Sequence, residues 1–175
     1  MTEFTVYWLR RLASPGRPGP GASTAQTAVA ALLRPACAAL LAWIGYIHLH
    51  LWLEGYRQIP TDGPLFLLDA IAAFVLAAVL LAWPRPLAGL AAAGYTASTI
   101  GALVISLTVG LFGFRESIHA SFVVESLVIE GITVLALTGW TVLVARRILS
   151  PARQPRPAAP PGHDSRRVRA TRTHR

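Results

Sequence analysis

Eight acids and five histidines are the groups in this 175-residue chain best suited to hold protons, metals or polar ligands. Those in its middle fall in two stretches. One is His48-Leu-His-Leu-Trp-Leu-Glu54, followed by Asp69; the other holds Glu116, His119, Glu125, Ser126 and Glu130. Four kinds of chemistry fit these residue types. A transition metal suits mixed imidazole and carboxylate ligation, drawing on His48, His50 and His119 with Asp69 and a glutamate. Haem b could be held between His48 or His50 and His119. A proton or small ligand could pass from His119 toward Glu130. The same groups could simply join helices through hydrogen bonds worth ~0.6–2 kcal/mol each.

Nothing in the chain resembles a nucleophile elbow, a phosphate-cradling glycine loop or a dinucleotide fingerprint. The single cysteine, Cys37, excludes an intramolecular disulfide framework, a CxxC pair and a multi-cysteine zinc site. In its apolar surroundings it reads as a structural thiol.

The elements that must position these groups are written in the composition. Hydrophobic residues make up 54% of the chain and charged residues only 14%. A soluble domain carries roughly a quarter charged residues. The apolar content gathers into four runs: Ala36–Leu53, extending back toward Val29, then Leu65–Trp83, Leu87–Phe112 and Ile118–Ala145. Each approaches the ~20 residues that cross a hydrocarbon layer, where the backbone has no partner but itself and must be helical. The breaks are Ile59-Pro-Thr-Asp-Gly-Pro64, with Thr61 or Asp62 as cap, then Trp83-Pro-Arg-Pro86, then Gly113-Phe-Arg-Glu-Ser117, with Ser117 as cap. Short connections make neighbours antiparallel. The expected fold is all-α: a four-transmembrane-helix, up-down-up-down bundle over residues 26–146. Around it stand a flexible tail at 1–25, a poor match to a secretory signal, and a disordered Arg/Pro-rich tail at 147–175.

All sixteen basic residues are arginine. With both termini in the cytoplasm, fourteen lie inside and only Arg57 and Arg115 outside, which the positive-inside rule favours. The net charge of +8 therefore encodes orientation. The basic tail, which has no aromatic residue, suits anionic lipid headgroups and not nucleic acid. Trp52, Tyr56, Phe66, Phe112 and Phe114 form an outer aromatic belt in this frame, with Trp83 and Trp140 at the inner ends.

Helical geometry then sorts the candidates. At ~100° per residue, His119 and Glu130 lie only ~20° apart around helix 4, on one stripe with Ser126 and Thr133, while Glu125 points elsewhere. His50 and Glu54 share a face of helix 1 and His48 points nearly opposite, so at most one of the two histidines faces the bundle. Glu130, near the bilayer midplane, is the first candidate, because an acid at that depth normally marks a functional site. Helix 3 carries Gly94, Ala97, Ser98 and Gly101, spacing that permits close helix approach within the bundle or self-association.

The stretches His48-Leu-His-Leu-Trp-Leu-Glu-Gly-Tyr-Arg-Gln-Ile-Pro-Thr-Asp-Gly-Pro-Leu-Phe-Leu-Leu-Asp69 and Gly110-Leu-Phe-Gly-Phe-Arg-Glu116 resemble those of small four-span membrane proteins of high-GC Gram-positive bacteria. The layout also loosely resembles the DoxX-like group. That second resemblance implies quinone-linked redox chemistry and makes a small metal- or haem-dependent membrane enzyme the alternative function. The first expectation is a non-catalytic accessory subunit or small-ligand or ion-binding module. Its site lies in the outer half, around Glu130, His119, His50, Glu54 and Asp69. A homo-oligomer or a membrane partner subunit is its expected assembly.

Overall fold

A computed structural model describes residues 23–149, together with Val6 and Arg10. Most of both expected tails lies outside the described residues. Four helices follow in order: α1 Thr24–Glu54, α2 Asp62–Ala82, α3 Pro86–Thr108 and α4 Val123–Leu149, with a 3-10 turn at Tyr56–Gln58. Among the described residues there is no strand, only an isolated bridge between Leu111 and Phe114. The helices form a ring in which each packs on its sequence neighbours and α4 closes back on α1. Each is long and apolar enough to cross a membrane. The chain is a multi-pass membrane protein built as an all-α four-helix bundle.

The distribution of side-chain size fits a lipid solvent. Helix α2 buries Ala70, Ala73 and Ala77 and turns Leu68, Ile71, Phe74 and Val75 outward. In water that pattern would be inside out. In hydrocarbon, where large apolar groups gain nothing by hiding, small residues go to the interfaces so that backbones approach.

The helix ends follow local chemistry. Ser23 caps α1 by accepting from the Gln26 N–H at 3.2 Å, and α1 runs through Pro35 to Gly55, whose N–H donates to the Leu51 carbonyl. Both α1 and α2 start earlier than apolarity alone placed them, since polar first turns do not register in a hydropathy pattern. Thr61 precedes α2 with no side-chain capping bond, and Pro64 sits in the first turn, where a missing N–H costs nothing. Pro84 stops α2 and Pro86 opens α3; the Arg85 guanidinium lies 5.8 Å from the Trp83 ring centroid.

Helix α4 departs from expectation. It begins at Val123 and not at Ile118. Phe122 has a φ of 64°, a left-handed conformation that cannot continue a helix, so residues 117–122 form turns. Ser117 does not cap α4; its Oγ accepts from the His119 N–H at 3.2 Å. His119 therefore lies off the helix, and its shared stripe with Glu130 does not exist. Ser126, Glu130 and Thr133 do share a buried face of α4.

The end of the bundle that holds the α2–α3 turn is solidly filled. Cys37, Leu41, Leu80, Ala92, Leu137 and Trp140 form its core. Trp140, expected in an interfacial belt, is 1% exposed and donates its indole N–H to the Ala30 carbonyl at 3.1 Å. Gly89 of α3 lies against it: a Cβ there would land on Thr141 Oγ1 and stand 2.9 Å from the Trp140 ring. By contrast, Gly94 and Gly101 have open space where a Cβ would be, and Ala97 and Ser98 are exposed. The glycine that seats α3 on α4 is one the small-residue spacing did not single out. Gly89→Ala should cost about 1–3 kcal/mol from overpacking, whereas Gly94→Ala should be neutral or gain up to ~1 kcal/mol from helix propensity. Thermal unfolding of the two variants in detergent checks this; equal effects would contradict the proposed contact.

Candidate functional site

Toward the opposite end the bundle is hollow. A cavity of about 540 Å³ lies between α2, α3 and α4, with α1 as its fourth wall. Sites for small molecules span ~300–1,000 Å³. The Ser98 and Ile105 side chains that line it from α3 are also exposed, so the cavity opens sideways between α2 and α3, whose mutual contact is slight.

Glu130 stands in its wall from α4. It is 2% exposed, and its Oε2 has no hydrogen-bond partner in the protein. Thr133 donates to the Ile129 carbonyl at 2.6 Å. The Thr99 hydroxyl, 2.8 Å from the Thr96 carbonyl, is also within hydrogen-bonding reach of the Glu130 carboxyl, which leaves Oε2 as the oxygen without a donor. Ser126, one turn above, is buried and also lines the cavity. Asp69 enters from α2, within electrostatic range of both Glu130 and His48; its backbone carbonyl accepts from the Tyr95 hydroxyl at 2.8 Å.

Of the two α1 histidines, His48 is the one that reaches the cavity. Its Nδ1 lies 2.9 Å from the Ile44 carbonyl. A carbonyl only accepts, so Nδ1 carries a proton and Nε2 is left as the second functional nitrogen. The ring packs on Phe66, with centroids 5.4 Å apart. His50 turns away: its Nε2 sits 3.2 Å from Glu54 Oε1, and its ring stacks on Tyr46 and meets Phe122 edge-on. Glu54 and His119 are exposed and stand outside the cavity lining. Glu125 is exposed as well, where its Oε1 accepts from the Trp43 indole at 3.0 Å. Thus Glu130, Asp69, Ser126 and His48 come together, while His50, Glu54, His119 and Glu125 do not join them. Among the described residues no three His, Cys, Asp or Glu side chains converge as a metal site requires, so His48, His50 and His119 do not form a ligand set.

The lid over the cavity contains residues that sequence reasoning missed or placed elsewhere. Tyr56, Phe66 and Phe114, expected in a belt facing lipid, turn toward one another, with Tyr56 centroids 4.5 Å from Phe66 and 6.0 Å from Phe114. The Tyr56 hydroxyl donates to Glu116 Oε2 at 2.6 Å, and Glu116 Oε1 accepts from the Ser117 N–H at 2.9 Å. This bond ties the α1–α2 connection to the α3–α4 connection. The latter is built on a two-residue turn at Phe112-Gly113, closed by Leu111 N–H to Phe114 carbonyl and the reverse, at 2.7 and 2.8 Å. Both central residues have positive φ, 48° and 85°, as a type I′ turn requires, and glycine supplies the second without penalty. Phe112 bears a strain of about 1–2 kcal/mol. Phe112 and Phe122, the two non-glycine residues with positive φ among those described, both line the cavity. Strained backbone of this kind concentrates at functional sites.

Burial first, and then the bond to Glu116 and the nearby negative charges, push the Tyr56 phenol well above its ordinary range. A group whose folded value is raised stabilises the fold below its unfolded value, ~10 for tyrosine; that contribution is lost as pH climbs toward the folded value. Tyr56→Phe should cost about 1.5–3 kcal/mol near neutrality, the range for a hydrogen bond to a charged group. Its unfolding temperature should also fall less steeply than wild type above about pH 10. Identical pH slopes would show that Tyr56 is not held by Glu116. No family model, curated protein or solved structure matches this chain.

Proposed function

We propose that the chain is a non-catalytic component of the bacterial cytoplasmic membrane that binds a small ligand in this cavity, with both termini in the cytoplasm. One observation carries the reading: a buried carboxyl, Glu130, presents an oxygen without a partner to a chamber of ligand size. An unpaired buried acceptor costs ~1–3 kcal/mol or more, and a ligand that donates to it recovers that cost. Toward the opposite end the described residues Cys37, Leu41, Leu80, Leu137 and Trp140 pack into an apolar core, which supports a receptacle that opens on one side. The positions of the arginines support the orientation. Arg34, Arg85, Arg146 and Arg147 lie toward the end with the α2–α3 turn, and Arg57 and Arg115 toward the cavity end.

Alkaline phosphatase fused after residue 60 should be active and a fusion at the C terminus inactive, with fluorescent-protein fusions showing the reverse; activity at the C terminus would invert the topology. For the receptacle, the wild-type protein and a cavity-filled Ala102→Phe variant are purified from native membranes and their organic extracts compared by mass spectrometry. A small molecule retained near one per chain by wild type and lost from Ala102→Phe is expected. Indistinguishable extracts would count against a ligand-binding role.

A further inference from the structure

We propose that the ligand is a lipophilic organic cation, an amine or quaternary onium on an apolar body, entering from the bilayer between α2 and α3. The inference deepens the small-ligand reading and rests on it. The first ground is charge. Asp62, Asp69, Glu116 and Glu130 line the cavity against one histidine, His48, and no arginine. Glu116 is engaged by Tyr56 and by the Ser117 N–H, but Glu130 Oε2 has no donor in the protein although the side chain is almost wholly buried. An anionic ligand would meet carboxyls and few free donors, since the hydroxyls of Thr99 and Ser98 already have acceptors in the protein.

The second ground is the wall. Phe66, Phe112, Phe114 and Phe122 bring aromatic rings to the chamber, and ring faces attract cations most strongly where water is excluded. A calcium- or magnesium-type cation needs about six or more oxygen ligands, and among the described residues no three acidic or imidazole groups converge to begin such a set; a charge spread over an organic body does not need one. The third ground is the opening. Ser98 and Ile105 are exposed at the depth of a membrane span, so the chamber communicates with acyl chains, where an apolar body partitions.

The test uses the full chain, purified in detergent, and three probes of nearly one shape: tetraphenylphosphonium, the anion tetraphenylborate and neutral triphenylphosphine oxide. Isothermal titration should give one tetraphenylphosphonium per chain and much weaker binding of the other two. Glu130→Gln should weaken the cation about tenfold or more, as losing a desolvated charge contact does, and Glu130→Asp should retain part of the affinity. If Glu130→Gln does not yield folded protein, Asp69→Asn and Ala102→Phe carry the same comparison. Equal or tighter binding of the borate or the oxide, abolished by Ala102→Phe, would overturn the cation assignment and leave the small-ligand reading standing. Cation binding untouched by Glu130→Gln and Asp69→Asn would place the cation elsewhere and overturn the proposal. Monodisperse protein that binds none of the three would overturn the cation proposal, and the small-ligand reading would then stand or fall on the extract comparison.

Discussion

Trp140 holds one end of the bundle closed, its indole sealed between three helices, giving its N–H to a carbonyl of α1 and its ring to the glycine of α3. In a bilayer the hydrophobic effect does little to draw helices together, so a large ring that fills its site and satisfies its one donor is a strong organiser. Toward the other end α2 and α3 touch only slightly, and the chamber lies beside them.

The open end is kept from collapsing by a different device. Small residues at Gly45, Ala70 and Ala73 draw α1 and α2 together beside it, and the polar bond from Tyr56 to Glu116 spans the top. The chamber is thus bounded by a close helix pair, a strained aromatic turn and a single hydrogen bond, and not by a continuous packed layer. Its floor is apolar core; its deeper polar features include the Asp69 and Glu130 carboxyls. The base of the bundle is thus packed by side chains and its top is tied by polar contacts.

Much of this was legible in the chain. Four apolar runs broken by proline and glycine specify four spans, because the cost of unpaired backbone in hydrocarbon leaves no alternative. Glu130 was legible too, since an acid in mid-span stands out against leucine and valine. The rest was hidden for identifiable reasons. A helical wheel separates His48 from His50 but cannot say which faces the bundle, as that depends on how Gly45 seats α1 against α2. The left-handed turn at Phe122 leaves no periodic signature, so α4 was extended through His119. Tyr56 and Glu116 are sixty residues apart, and nothing local marks them as partners. Trp140 and the belt aromatics were misplaced because the same residue types serve both interface and core.

Helix length has a geometric consequence. Gly45 faces Ala70 and Phe74, so α2, ending at Ala82, runs out about ten residues before α1 reaches Thr24. Among the described residues those first turns of α1 meet α4, through Ala30 with Trp140 and the Gln26 carbonyl with Arg147. At ~1.5 Å per residue the α1–α4 pair outreaches α2 by ~15 Å, a two-helix post rising past the turn at Trp83–Arg85. The same two helices carry His48 and Glu130, so the post outside and two walls of the chamber inside are one continuous helix pair.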